Sequence, residues 1–322
     1  MTFSRRSVVD VSLLGLVNAM WAAQYPAYKI ASEKMGPVTL SGWTFLLAAV
    51  VLLPFLIWEL TQARPPERSN GPVPANSPAD RSRLNARNGF GFVMIGIVGL
   101  VPSSALLAWG INLSSASDAA LIYLAVPIMT ALLASLILQE KMTLFRWASL
   151  FLSLLGVLIL SDLDWRRVGI VNKRFLLGNF LVLAACASSS FYNVYCKELL
   201  RRFSALEILV YGYLLAVVMS VPLMVWVEDF SFFAIRSYQV NTWLALLVLS
   251  VLSWGLAMVL WMLLLKRLDV SQASVSIYLL PFLGVLISAV TLQEKITSNM
   301  IVGGLVTLTG TILITVAEPP PA

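Results

Sequence analysis

The chain has 322 residues, of which 59% are hydrophobic and 12% charged, with a formal net charge of +6. A soluble domain runs at roughly 25% charged and about 45 to 50% apolar, so this composition excludes a water-facing globule of one or two domains and leaves lipid as the main solvent. There is no histidine, and the only cysteines, Cys186 and Cys196, stand in one apolar run about 15 Å apart along a helix; that excludes a disulfide between them, a zinc or haem site, and a Ser/His or Cys/His catalytic pair, so neither metal nor cofactor is expected.

Ten stretches are free of Asp, Glu, Lys and Arg: 11–28, 37–58, 89–117, 119–139, 147–161, 175–196, 208–227, 237–265, 270–293 and 296–317. Most reach the roughly 20 residues that a membrane-crossing helix needs. The runs are continuous rather than alternating, which predicts helices and not barrel strands. The fold class expected is therefore an all-α integral membrane protein of ten transmembrane helices.

The first span carries Asn18, Trp21, Gln24, Tyr25 and Tyr28 around Pro26, with Asn18, Trp21 and Tyr25 at helical spacing on one face. Polar groups in hydrocarbon are costly and default to the bundle interior, so this face is a candidate cavity lining; the alternative is interfacial anchoring by Trp and Tyr and hydrogen bonding between helices. Pro26 opens the backbone ladder near Ala22 and would act as a hinge. After the second span, 61–88 carries five prolines among Ser, Asn, Arg and Gly and reads as a flexible linker.

Further along, Ser103 and Ser104 follow Pro102 in the third span, and Tyr123 precedes Pro127 in the fourth. The fifth span is short, so Leu144 and Phe145 should extend it while Arg146 snorkels to the interface. In the sixth, Ser188, Ser189, Ser190, Tyr192, Asn193 and Tyr195 repeat the polar character of the first. Ser253 and Trp254 in the eighth span, and Tyr278 before Pro281 in the ninth, complete the candidate lining. Proline kinks beside a tyrosine could form a hydrogen-bonding wall or simply be packing features. Glu140 and Glu294 end apolar runs, each directly before a lysine, which suggests pairing at helix ends rather than a proton relay. Lys29 and Lys197 also end spans and would either snorkel or contact substrate, whereas Asp118 and Asp269 begin spans with no evident partner. Gly303, Gly304 and Gly310 in the last span allow close helix packing, one form of which is a homodimer face.

The 22 Lys and Arg residues form no stripe, so nucleic acid is not an expected partner. With the N-terminus inside, fourteen basic residues fall on the cytoplasmic side and eight outside, which favours a multi-pass protein of the cell membrane with both termini cytoplasmic. A twin-arginine signal at Arg5 and Arg6 is disfavoured by Asp10 within the run and by nine later spans.

Two passages carry the same words, IYLAVPIMTALLASLILQEK from Ile122 and IYLLPFLGVLISAVTLQEK from Ile277. Pro127 and Pro281, Glu140 and Glu294, and Gly156 and Gly310 are each 154 residues apart, while Lys29 with Lys197 and Pro54 with Pro222 are 168 apart, the excess falling on the linker. Two units follow, 1–160 including the linker and 175–317, each of five spans. Five is odd, so the second unit enters the membrane upside down, the inverted repeat of carriers.

On these passages, together with WGINLSSASDAALIYLAVP, LDVSQASVSIYLLP and GGLVTLTGTILI, the chain resembles the drug/metabolite transporter superfamily, in particular its EamA-type members, over nearly all its length outside the linker. The resemblance implies a secondary transporter, an exporter of a small metabolite such as an amino acid, embedded among membrane lipids; a lipid or amphiphile flippase is the alternative and a membrane enzyme the more distant one. Trp43 stands where many members have an arginine early in the second span. Members with a glutamate in the first span use it for proton coupling, and this first span has none.

Overall fold

A computed structural model describes residues 5–62, 86–113, 122–160, 173–283 and 298–316. Glu294, Asp118 and linker residues 63–85 lie outside that set. The linker is shorter than the sequence suggested, because the second span, Pro37–Gln62, runs four residues past Trp58 and the third begins at Ala86.

Ten apolar helical segments make up the described chain, five of them long and apolar enough to cross a membrane by themselves. The first span is Arg5–Ala22 and Gln24–Ser32 with a break at Ala23, three residues ahead of Pro26, where a ring without an N–H leaves the Ala22 carbonyl unpaired in the ladder. The fifth is Leu144–Leu160, extended as its sequence implied. The sixth and seventh are Lys173–Leu199 and Ala205–Glu228, the latter opened by a capping box between Ser204 and Glu207. The last is Ser298–Val316.

Spans three, four and eight carry π-helical turns, at Ile95–Leu100, Ala134–Leu138 and Val248–Ala257. Displaced by 154 residues, the first of these falls inside the last, so the widened turn belongs to the repeated unit. It marks a place where the regular ladder of backbone bonds yields.

The packing of the helices is reciprocal. The second span lies along its repeat-mate, the seventh, and the fifth along its repeat-mate, the tenth; the third packs on the sixth while the eighth packs on the first. Such a pattern is what an approximate two-fold axis between the halves generates. At the axis, residues 154 apart meet: Ser153 Oγ lies 3.4 Å from the Thr307 carbonyl, and Thr307 Oγ1, which donates to its own helix at the Gly303 carbonyl at 2.9 Å, lies 3.3 Å from the Ser153 carbonyl. A Cβ on Gly156 would run into Thr307 and the Gly303 carbonyl, and one on Gly310 into Ser153 and the Ser149 carbonyl. Gly304 is likewise closed off by Phe282. The last-span glycines, read in sequence as a candidate dimer face, are thus taken up by contacts within the chain.

At the other end of the bundle Glu228 closes the start of the second span, its carboxylate accepting from Val38 N at 2.7 Å and Thr39 N at 2.8 Å, against Gly36, where any side chain would collide with it. A helix N-terminus has orphan N–H groups and a positive dipole end, both answered here by one carboxylate. Glu228→Ala is expected to lower stability by about 1 to 3 kcal/mol, since two N–H groups lose a charged acceptor; an unchanged melting temperature in detergent would contradict this role.

Candidate functional site

Where the halves face each other, aromatic and amide side chains from spans one, two, six, seven and eight form a continuous seam. Trp21 on the first span lies 5.1 Å from Trp261 on the eighth, ring centroid to ring centroid. Trp261, fully buried, donates its indole N–H to Asn193 Oδ1 on the sixth at 3.1 Å. Trp254 donates to the Tyr28 hydroxyl at 3.2 Å, its ring edge-on to Phe45 at 4.9 Å, and its carbonyl accepts from Tyr213 at 2.7 Å. Trp254 stands in the π turn, where the regular ladder of backbone bonds is widened, and the Tyr213 hydroxyl adds a donor to its carbonyl.

Asn18 sits deeper, with 0% exposure, at the meeting of the first and ninth spans, donating to the Leu14 carbonyl at 2.8 Å and to Ser276 Oγ at 2.9 Å. Beside the first-span break, Ser253 Oγ donates to the Met20 carbonyl at 3.2 Å, which ties span eight to the interrupted ladder of span one.

The other residues singled out in sequence are placed differently. Gln24, Tyr123 and Ser189 are half-buried, and Tyr123 packs among Val126, Val182 and Cys186. The Ser103 hydroxyl turns back to its own helix at the Leu100 carbonyl. Tyr278 is sealed, and its hydroxyl donates to the Leu124 carbonyl at 3.0 Å, so it joins the fourth and ninth spans rather than offering a donor to a cavity. Pro127 is buried and Pro281 half-buried. The side chains of Tyr25, Pro26 and Lys29 lie outside the described set. Two hollows lie among the described residues. One of about 80 Å³ lies between the second and seventh spans, lined by Gly42, Trp43 and Met224; one of about 290 Å³ lies between the first and eighth, lined by Ala23, Ala27, Ile30 and Asn241. Neither is lined by Asn18, Asn193 or the three seam tryptophans.

Sequence reasoning missed Trp261, Tyr213 and Phe45. Trp261 follows Trp254 by seven residues, two helical turns, and that spacing was a usable signal. No local signal marks Phe45 or Tyr213, whose place depends on the second span meeting the seventh.

At the face where the first span begins, charged groups close the bundle. The Glu140 carboxylate caps the ninth span, accepting from Val270 N at 2.8 Å, Ser271 N at 3.0 Å and Ser271 Oγ at 2.7 Å. It is the helix-end group its position suggested. Arg146, expected to snorkel, is instead 4% exposed and pairs with Asp269 at 2.7 Å; Asp269, which showed no partner in sequence, also has Lys197 at 4.0 Å. Lys197 donates to the Leu268 carbonyl as well. Nearby, Arg267 reaches Asp10, 4% exposed on the first span, at 3.7 Å. The buried Arg146 and the half-buried Lys197 turn inward because the Asp269 carboxylate, with the Ser271 hydroxyl for the one and the Leu268 carbonyl for the other, offsets the loss of water. The cluster joins spans four, five, six and nine, with spans one and eight at its edge.

This is a multi-pass membrane protein built from two inverted five-helix repeats. It belongs to the EamA-like transporter family, whose model matches residues 11–162 and again 176–316. Among its relatives is a protein of Streptantibioticus cattleyicolor named "Probable terminal-alkyne amino-acid exporter", 26% identical over 94% of this chain and 91% of its own. An uncharacterized transporter of Bacillus subtilis, YoaV, is 23% identical over 92% of this chain and 94% of its own. A solved crystal structure superposes with a TM-score of 0.74 at 16% identity, covering 95% of this chain and 96% of that one, which supports the fold. The family and these relatives are transporters and not enzymes, in keeping with a chain that has no histidine.

Proposed function

We propose that this transporter exports a small organic solute such as an amino acid, by rocking of its two halves about the aromatic and amide seam. The observation that carries the reading is the reciprocal contact of residues 154 apart at Ser153 and Thr307. Two halves related by an axis in the membrane plane can exchange conformations, each adopting the other's shape, which opens a central site alternately to the two sides. The ion cluster on the N-terminal face then belongs to the conformation closed on that side. The name of the relative from Streptantibioticus cattleyicolor, a probable amino-acid exporter, supports an amino acid as cargo. So does the seam itself, which offers indole, phenol and amide groups in place of a deep salt-bridging residue. The protein resides in the cell membrane with both termini cytoplasmic, as the distribution of basic residues favours.

Two measurements test this. Purified protein in proteoliposomes, given a panel of labelled amino acids, is expected to move at least one of them faster than protein-free vesicles; a panel in which none moves overturns the cargo. In cells, Lys266→Cys and Lys34→Cys, both exposed and on opposite faces, should be labelled only from the cytoplasm and only from outside, respectively. Labelling of both from one side would overturn the orientation.

A further inference from the structure

The geometry points to Asn18 as the hydrogen-bond acceptor for a primary ammonium group on the transported solute, an assignment that rests on the amino-acid export proposed above and gives it a chemical handle. The Asn18 amide nitrogen is fully used by the Leu14 carbonyl and Ser276 Oγ. The amide cannot be turned over. Leu14 presents only an acceptor, and the Ser276 hydroxyl hydrogen is directed at the Ala273 carbonyl at 2.7 Å, so Ser276 also faces Asn18 as an acceptor. Oδ1 is consequently fixed as the second atom of the amide, and it is buried with no donor among the described residues.

Other buried oxygens without a partner do not carry the same weight. Thr44 and Thr130 hydroxyls can rotate onto a carbonyl of their own helix, as Thr311 and Thr315 do at 3.0 and 2.7 Å. Asp10 has Arg267 beside it, and the Tyr192 hydroxyl, a donor as well as an acceptor, faces the Cys196 thiol. An amide oxygen can only accept. In a low-dielectric interior such an oxygen calls for an N–H or O–H that the described residues around it do not provide.

The surroundings select charge as well as hydrogen bonding. Trp21 lies three residues on, over the same face of the helix, with its ring against Trp261. Indole faces attract cations and do not favour anions. A fixed acceptor one turn of helix from an indole pair therefore suits a protonated amine better than a carboxylate or a phosphate. In this conformation the ninth span, through Ser276, holds the amide nitrogen; its withdrawal when the halves rock would open the amide to the ligand.

The test uses the wild-type protein in proteoliposomes and the amino acid that moves fastest in the panel above, with its N-acetyl derivative and its decarboxylated amine as competitors. The amine is expected to compete, and the N-acetyl compound to compete at least about tenfold more weakly, because it has lost the ammonium that the site is built to meet. Asn18→Leu, of similar size, should bring that ratio close to one; should this variant fail to fold, the wild-type competition decides alone. Equal competition by amine and N-acetyl compound, with the parent amino acid still transported, overturns the ammonium assignment and leaves export standing. If no amino acid moves at all, the export reading fails and this assignment fails with it.

Discussion

Arg146→Met is expected to lower the stability of the detergent-solubilised protein by about 3 to 5 kcal/mol, the range found when one member of a buried ion pair is removed. The arginine side chain is 5% exposed and its partner Asp269 11%, at a separation of 2.7 Å. Arg146 also reaches Ser271 Oγ at 3.4 Å, the hydroxyl that donates to Glu140. Without the guanidinium two carboxylates, Glu140 and Asp269, share one face with Lys197 as their remaining cation among the described residues, and Lys197 stands 4.0 Å from Asp269. The cost arises from the charge left behind and not from the loss of a strong bond. The double variant Arg146→Met/Asp269→Leu should therefore regain most of the lost stability, because an apolar pair of similar volume replaces an ion pair whose attraction is largely offset by desolvation. Melting curves of the two singles and the double form the cycle. A single variant as stable as wild type would show that this cluster does not hold the face closed.

The parts of this architecture that could be read in the sequence are those written in short-range or repeated patterns. Uninterrupted apolar runs marked the spans, and the twin passages ending in LQEK marked the duplication, because each depends only on residues within one helix or on comparison of the chain with itself. The break beside Pro26 was equally local. What escaped was set by the meeting of distant segments. Arg146 looked like a snorkelling side chain, since nothing near it in sequence shows that Asp269, 123 positions away, begins the helix packed against it. Tyr278 looked like a cavity wall, and its hydroxyl is instead committed to a carbonyl of the fourth span. The π turns were also invisible, although Gly96 and Gly99 in one and Gly255 in its repeat counterpart mark helices where close approach matters. Asn18 was singled out for being polar in hydrocarbon, but the direction of its amide follows only from Ser276, on a span from the other repeat.

Gly156→Val and Gly310→Val should each disrupt the docking of the fifth and tenth spans, and by similar amounts. Overpacking a filled contact costs typically about 1 to 3 kcal/mol, and more where the obstacle is backbone that cannot rotate aside. Here it is backbone: a Cβ at Gly156 would stand 2.5 Å from Thr307 N and 2.7 Å from the Gly303 carbonyl oxygen, and one at Gly310 2.8 Å from Ser153 N and 2.7 Å from the Ser149 carbonyl oxygen. The helices would have to separate, which also parts the reciprocal contact between Ser153 and Thr307. Each loss is therefore expected at or beyond the top of that range, read as a fall in melting temperature and in the yield of monodisperse protein. Gly15→Ala is the matched control, because a Cβ there meets nothing within 4 Å; with no clash to offset it, alanine should stabilise this helix by about 0.4 to 1 kcal/mol. Equality between the two valine variants is the sharper part of the expectation. A two-fold axis through this contact makes the two glycines each other's image, so a large loss at one with none at the other would mean that the halves are related in sequence but do not share the contact symmetrically.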